Sequence, residues 1–472
     1  MKLTADQIKS IAPDSSSFDA GRSLSLSGRW QNCGQSDRAV WGECQGSGKS
    51  PYQIRVDLRE FGYRCSCPSR KLPCKHVLGL LLLADNNSSS VPQVAEPDWI
   101  TQWLSERDDR TQKKSEKSEN SKKSEKSESE STSKKVDAKA QLKRIEERKN
   151  RVNAGVEQLE TWLQDIIRIG IADIDRKPFS FWNDQSKRLV DAQAPGLASK
   201  IHRIAELAGN GKNWHERVLG ELGGLALLVE AYRKIDNLEK NLQDEIRQQI
   251  GWTVDQKALS EIGEKVRDLW LLIGQSYEFN TKIQMQRNWF YGIQSGRFLL
   301  YLQFAVSKWT KASGKSASFA ETYIPGSIID AEAVFWSGTG RLRGKFLDDK
   351  TIVLPTEKAA KELLKGFFVT NNIALSITNF LDNQAERLSF QPWFEIIPAW
   401  FGDTVVCPPK NPDDSWTIQD GRYILPLVKG DYWKMLAISY GEPVKIFGEW
   451  DGRQLKPLSV IAENKFYSLV TF

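Results

Sequence analysis

Cys65-Ser66-Cys67-Pro68-Ser69-Arg70-Lys71-Leu72-Pro73-Cys74-Lys75-His76 decides how the first part of this chain folds. The spacing is C-x-C-x6-C-x-H. Three thiolates and one imidazole complete a tetrahedral shell, the usual form of a closed structural zinc site. Soft sulfur donors with one nitrogen favour Zn2+ over Mg2+ or Ca2+. Cys65 and Cys67 are expected where the second strand of the unit ends, and Pro68 assists the kink that lets both thiolates face one ion. Pro73 precedes a predicted helix whose first turn holds Cys74 and His76, where the positive end of the helix dipole favours thiolate. Val77, Leu78 and the run Leu80 to Leu83 give that helix an apolar face to pack behind the metal. The chain has only six Cys and three His, so four of these nine within twelve residues are read as ligands rather than as scattered buried side chains. The expected metal set is Cys65, Cys67, Cys74 and His76, with Zn as cofactor.

Upstream, Val40–Cys44 and Tyr52–Leu58 alternate as strands, and Gly46-Ser47-Gly48 between them reads as a hairpin turn. The unit is therefore a β-β-α finger within a domain spanning residues 1–105. Gln45-Gly46-Ser47-Gly48-Lys49-Ser50 imitates a phosphate-binding loop. The first glycine of that motif is due at position 43, which is Glu43, and a strand pattern rather than a helix follows. Nucleotide binding is set aside.

Downstream, residues 106–137 form a low-complexity linker whose core, KKSEKSENSKKSEKSESESTSKK, has no apolar residue. Such a stretch cannot bury enough surface to offset chain entropy, and a disordered charged tether is expected. From Ala138 the apolar positions Leu142, Ile145, Val152, Val156, Leu159, Leu163 and Ile166 recur at helical spacing. Further helical runs are read at Phe181–Ala194, Leu197–Ala208, His215–Lys234, Leu238–Ile250 and Gln256–Tyr277, giving a helical middle domain over 138–279. Phe298–Val306, Glu332–Trp336, Phe394–Phe401, Tyr423–Leu427 and Trp433–Ser439 read as strands bounded by glycine and proline turns. Residues 280–472 are thus expected to be a β-rich domain, sandwich or barrel-like. No internal repeat is visible. The fold class is α+β, multidomain.

The 472 residues carry a net charge of +6 and a pI of about 8.8, a mild excess compatible with nucleic-acid contact without arguing for it. The N-terminus lacks the apolar core of a signal peptide, and the longest apolar run, near Leu78 to Leu83, is too short to span a bilayer. Sparse, clustered cysteines suit a reducing compartment. Cytoplasmic residence without membrane contact is expected by elimination.

The spacing of the ligands resembles the SWIM-type zinc finger, C-x-C, a variable gap, then C-x-H on a β-β-α unit. The match covers residues 50–90. Trp41-Gly42-Glu43-Cys44-Gln45-Gly46-Ser47-Gly48 and Cys67-Pro68-Ser69-Arg70-Lys71 are similar to words in a bacterial group of SWIM proteins. So is Leu189-Val190-Asp191-Ala192-Gln193-Ala194-Pro195-Gly196-Leu197-Ala198. Members of that group neighbour MoxR-type AAA+ ATPases and von Willebrand factor A proteins. The resemblance implies zinc binding, and for the family as a whole protein or DNA interaction.

Between Pro51 and His76 six basic residues stand against Asp57 and Glu60, and Arg70, Lys71 and Lys75 flank the ligands. These three are candidates for nucleic-acid contact, although a solvated rim is the preferred reading. His202 and His215 have no ligand-type partner at suitable spacing. Cys33, Cys44 and Cys407 read as small buried residues. No nucleophile elbow or metal-carboxylate motif appears, and a non-enzymatic role is expected. The expected function is that of a zinc-binding, non-catalytic adaptor in a protein assembly, with a MoxR-type ATPase or a von Willebrand factor A protein as the implied partner. The alternatives are a DNA-binding protein using the basic finger, and an enzyme with an unrecognised site in the C-terminal two-thirds.

Overall fold

The computed structural model describes residues 3, 5–13, 15–26, 28–46, 50–58, 62–69, 71, 73–86, 89–108, 133–211, 213–252, 259, 263–279, 283–306, 308–310, 314–316, 319, 321–338, 342–353, 362, 364, 367, 375–390, 396–411, 414–421 and 423–469. The chain is α+β, with the finger first, a helical bundle in the middle and a β-rich C-terminal part. Most of the expected linker, residues 109–132, lies outside the described residues.

The N-terminal part is a four-stranded antiparallel meander with helices on both faces. Its elements are α1 (Ala5–Ser10), α2 (Ser15–Ser25), β1 (Trp30–Gln35), β2 (Ala39–Cys44), β3 (Tyr52–Asp57), β4 (Gly62–Cys65), α3 (Lys75–Asn86) and α4 (98–108). Strand alternation assigns the faces. Val40, Cys44, Ile54 and Val56 join Val77, Leu78 and Leu80 to Leu83 of α3 in one core, while Ala39 and Trp41 meet Ile100, Trp103 and Leu104 of α4 on the other side. Gly21 and Gly79 let α2 and α3 cross closely: a Cβ at Gly21 would stand 2.8 Å from that of Leu78. Asp57, buried beneath α4, pairs with Arg107 at 3.2 Å and with Arg38 at 3.6 Å.

The middle part comprises α5 (Ser133–Ile169), α6 (Phe179–Asp191), α7 (Pro195–Leu207), α8 (Trp214–Arg233) and α9 (Lys240–Ile250). Val152, Val156, Leu159, Leu163 and Ile166 form the inward stripe of α5, packed on Trp182, Leu189, Ile201, Leu225 and Ile246. Pro195 opens α7 at a position where its missing N–H costs nothing.

The expected helix Gln256–Tyr277 does not extend over Glu264–Tyr277; of its earlier residues only Leu259, which is helical, and Gly263 are described. From Glu264 the chain is a strand, β5 (Glu264–Phe279), so the β-rich part begins near Glu264 rather than after residue 279. Leu269 to Ile273 is a continuous apolar run because the strand is buried on both faces: Trp270 and Leu272 point one way, Leu271 and Ile273 the other. Such a run lacks the alternation that marks a strand with one wet face.

β5 pairs with β6 (Ile283–Gly292), which pairs with β7 (Phe298–Val306). A hairpin, β8 (Lys308–Thr310) and β9 (Gly314–Ser316), comes next, followed by β10 (Ile328–Phe335) and β11 (Gly344–Val353). The strand order is β11-β10-β5-β6-β7. A parallel bridge from Leu300 to Arg343 brings β7 against β11, so the sheet curls into a five-stranded Greek-key barrel of OB type.

After α10 (Ile377–Phe390) the same arrangement occurs again. The second set is β12 (Ile397–Cys407), β13 (Thr417–Gln419), β14 (Ile424–Pro426), α11 (Trp433–Ser439), β15 (Val444–Trp450), β16 (Leu455–Ala462) and β17 (Lys465–Ser468). The order β14-β13-β12-β15-β16 mirrors the first barrel, and a parallel bridge from Leu427 to Leu455 closes it. In both barrels the first strand carries a bulge, between Leu272 and Gly274 and between Phe401 and Thr404. The sequence shows no repeat, yet the topology is duplicated. Trp433–Ser439, expected as a strand, is instead the helix α11, whose Met435 is buried in the second barrel's core.

The barrels pack through their outer faces, Leu271, Ile273, Trp289 and Tyr291 against Trp400, Phe447, Leu458 and Ile461. The buried Glu449 carboxylate accepts hydrogen bonds from Ser276 at 2.7 Å and from Trp289 Nε1 at 2.8 Å. Ile324, between β9 and β10, is buried in the finger's core, with Ile352 packed beside it.

Candidate metal centre

β3 and β4 pair with Ile54 opposite Cys65, which fixes the first thiol at the end of the sheet. Past Cys65 the chain is held onto β3 by two hydrogen bonds. Ser66 N–H donates to Gln53 O at 3.0 Å, and Gln53 N–H donates to Ser66 Oγ at 2.9 Å. Ser66 thus points back to the sheet while Cys65 and Cys67 turn to the metal side. Neither contact is legible from the ligand pattern, although a small polar residue between two ligands is the kind of signal that marks such a clasp.

Cys74 lies one residue ahead of α3, where its carbonyl accepts the N–H of Leu78 at 3.1 Å. It is therefore the helix cap rather than part of the first turn, as the sequence suggested; His76 is in that turn. The apolar face of α3 is locked into the sheet, so both C-terminal ligands are positioned by the core.

The four ligand atoms of Cys65, Cys67, Cys74 and His76 lie within 4.8 Å of one another. His76 Nδ1 is 4.0 Å from both Cys65 Sγ and Cys74 Sγ. A tetrahedral zinc ion with Zn–S near 2.3 Å and Zn–N near 2.0 Å needs edges of about 3.5–3.8 Å, so a small contraction suffices. Cys74 and His76 are buried, and Cys65 and Cys67 are half-buried. The Tyr52 ring packs on His76 with centroids 4.9 Å apart. Three thiols so close cannot all ionise without a cation. Contact with Cys67 and Cys74, together with burial, pushes the Cys65 thiol up, and contact with Cys65 and Cys74 holds Cys67 down. Burial and the neighbouring Cys74 push the Tyr63 hydroxyl up to about 12. The donor set fits zinc. It supplies four protein ligands and leaves no open coordination position, the mark of a structural site. Bound there, the ion would tie the end of β4 to the start of α3, with a binding free energy of order 10–16 kcal/mol in comparable peptides.

Among the described residues this is the one such cluster. His202 and His215 are exposed on α7 and α8, and His215 stacks on Trp214 at 3.7 Å. Cys44 is buried, whereas Cys33 and Cys407 are half-buried, less enclosed than expected. Burial raises the Cys33 thiol to about 11. Of the three residues proposed for nucleic-acid contact, Lys75 is exposed, Lys71 is half-buried, and Arg70 lies outside the described residues. The described residues on either side of 47–49 show β2 and β3 in antiparallel register, Cys44 opposite Tyr52, so a strand follows the apparent phosphate loop.

Comparison with known families agrees with this geometry. The family described as the SWIM zinc finger matches residues 52–85, and the SWIM-associated four-helix bundle domain matches residues 147–250. The first match contains all four ligands, and the second covers α6 to α9 and most of α5. No curated protein and no solved structure matches the chain. Among the described residues no helix is long and apolar enough to cross a membrane.

Proposed function

We propose that this chain is a zinc-stabilised, non-catalytic interaction protein that serves as an adaptor in an assembly of the cytoplasm. The observation that supports this reading is the closed Cys3His shell. All four positions around the metal belong to the protein, so the ion has a fold to hold and no position to offer a substrate. The SWIM finger and its associated bundle, joined to two β-barrels, give the molecule several separate surfaces for partners. A MoxR-type AAA+ ATPase or a von Willebrand factor A protein is the partner class that the resemblance suggests.

The test is cross-linking of the zinc-loaded full chain with purified proteins of those two classes, followed by mass spectrometry. A one-to-one product whose cross-links cluster on the bundle or barrels supports the adaptor. Absence of any specific product, together with salt-sensitive binding of duplex DNA that is lost on changing Lys71 and Lys75, would replace the adaptor with the DNA-binding finger.

A further inference from the structure

Leucines lie on both sides of α8. Val218, Leu222, Leu225, Leu228 and Val229 face the bundle core, but Leu219 and Leu227 are 58% and 52% exposed. Glu216, Gly220, Gly223, Ala226 and Glu230 are exposed as well. At 3.6 residues per turn these positions fall on one stripe along about four turns of the helix. An ion pair from Glu221 to Arg203 of α7, at 3.2 Å, borders the stripe on one side. Another, from Arg233 to Glu160 of α5, at 2.9 Å, borders it on the other. Between its two glutamates the stripe is made of leucine, glycine and alanine alone. A helix that is apolar all round is ordinarily covered all round.

The two glycines sharpen this. After proline, glycine is the poorest helix former, and both stand in the helix interior. Where α2 crosses α3, Gly21 and Gly79 are explained by backbone and side chains too close to admit a Cβ. At Gly220 and Gly223 a Cβ would meet nothing within 4 Å. Nothing inside the chain accounts for them. A second helix crossing from outside does, because the distance between two helix axes is set by the side chains at their contact. The stripe also reads alike in both directions about Gly223. Leu219 and Leu227 stand four residues to either side, Gly220 and Ala226 three, Glu216 and Glu230 seven. An isologous two-fold contact has this property, residue i meeting j while j meets i.

We propose that two copies of this chain associate through the α8 face of Leu219, Gly220, Gly223, Ala226 and Leu227, their helices antiparallel and related by a two-fold axis at Gly223. Each Leu219 then meets Leu227 of the other copy, and the small residues between them let the helices approach. The charges match as well. Glu216 arrives where the other copy's Glu230 stands with Arg233 and Lys234, and Lys234 already holds Glu230 at 2.7 Å. Two acids thus face two bases at each end of the crossing. One helix face about 22 Å long buries less than the roughly 800 Å2 per partner of a stable complex, so the dimer exchanges with the monomer. The face is separate from the zinc finger, and the proposal does not depend on the adaptor reading.

The test is sedimentation velocity of the zinc-loaded full chain from about 1 to about 500 µM, the range of a weak complex. The parent should move from monomer towards twice the monomer mass as concentration rises. Leu219→Glu with Leu227→Glu should remain monomeric throughout. Both residues are on the surface, so circular dichroism of this variant should match the parent. Gly223→Leu separates association from folding. Leucine is the better helix former, so the thermal midpoint of the dilute monomer should rise, while its bulk at the crossing should weaken the dimer about tenfold or more. Ile167→Glu, a change at an equally exposed apolar residue on α5, should leave association as in the parent. The proposal is overturned if the parent stays monomeric, which would leave this face to a partner of different sequence. It is overturned as well if the double glutamate variant or Gly223→Leu dimerises like the parent, if Gly223→Leu lowers the midpoint of the monomer, or if Ile167→Glu abolishes the dimer.

Discussion

Gly274 shows how closely single residues fix this molecule. It follows the bulge in β5, at the seam between the barrels, and a Cβ there would stand 2.5 Å from Cε1 of Phe447. Phe447 is buried between Trp400 and Phe298 and has no room to retreat. Gly274→Ala is therefore expected to destabilise the chain by about 1–3 kcal/mol, the usual cost of overpacking a well-filled core. Denaturant unfolding followed by tryptophan fluorescence checks it, and an unchanged midpoint would mean that the barrels are not pressed together at this point. The four metal ligands lie at the opposite extreme of legibility. Their chemistry is carried by residue type and spacing alone, so the sequence was enough to find them. Gly274 is one glycine among 33, and nothing local in the sequence separates it from a turn glycine.

At the scale of elements, the Glu321 carboxylate ties the segment before β10 to β7 and β11. Lys350 Nζ donates to it at 2.5 Å and Tyr301 OH at 3.1 Å, and Tyr323 OH donates as well. Burial works against the charged form, but the Lys350 ammonium and the two hydroxyls outweigh it and hold the carboxyl below its usual range. A carboxylate whose folded pKa is lowered adds stability above its unfolded pKa, and that stability is lost as the pH falls through the folded value. Lys350→Met should therefore flatten the acid limb of the stability curve, with its largest effect near neutral pH. Thermal unfolding at neutral and at acid pH measures this. A variant with the same loss at both would show that the ion pair is only packing.

Helices of the bundle were legible because Val152, Val156, Leu159, Leu163 and Ile166 face one core at regular spacing. The helix α11 was not: seven residues, Trp433 to Ser439, are too few to establish a period, and their aromatic start mimics a strand. β5 failed for the opposite reason, being apolar on both faces. β1, β4, α1, α2 and α4 were not resolved by the pattern either, since their burial depends on partners distant in sequence, such as the pairing of Arg38 with Asp108.

For the whole molecule, the charged linker suggests a finger that folds apart from the rest. The packing modifies this, because Ile324 of the first barrel's connecting segment is buried in the finger's core. Chelation of the metal should thus unfold the finger and also lower the stability of the first barrel, while the bundle keeps its helices. Hydrogen exchange followed by mass spectrometry, with and without chelator, distinguishes the cases. Faster exchange in α3 and around Ile324, with α5 to α9 unchanged, is the expected result. Faster exchange in α3 alone would restore the fully independent finger. The duplicated barrel topology belongs to this scale as well. It became visible only through strand order, since two sequences can satisfy the same alternation of inside and outside with different residues.

One zinc ion, held by Cys65, Cys67, Cys74 and His76, is expected to organise the finger. Elemental analysis of the full chain, purified without chelator, alongside Cys74→Ser, tests it most directly. The account predicts about one zinc per chain in the parent, and in the variant little or none together with loss of the α3 signal. A parent without zinc, or a Cys74→Ser variant that retains it in full, would contradict the account.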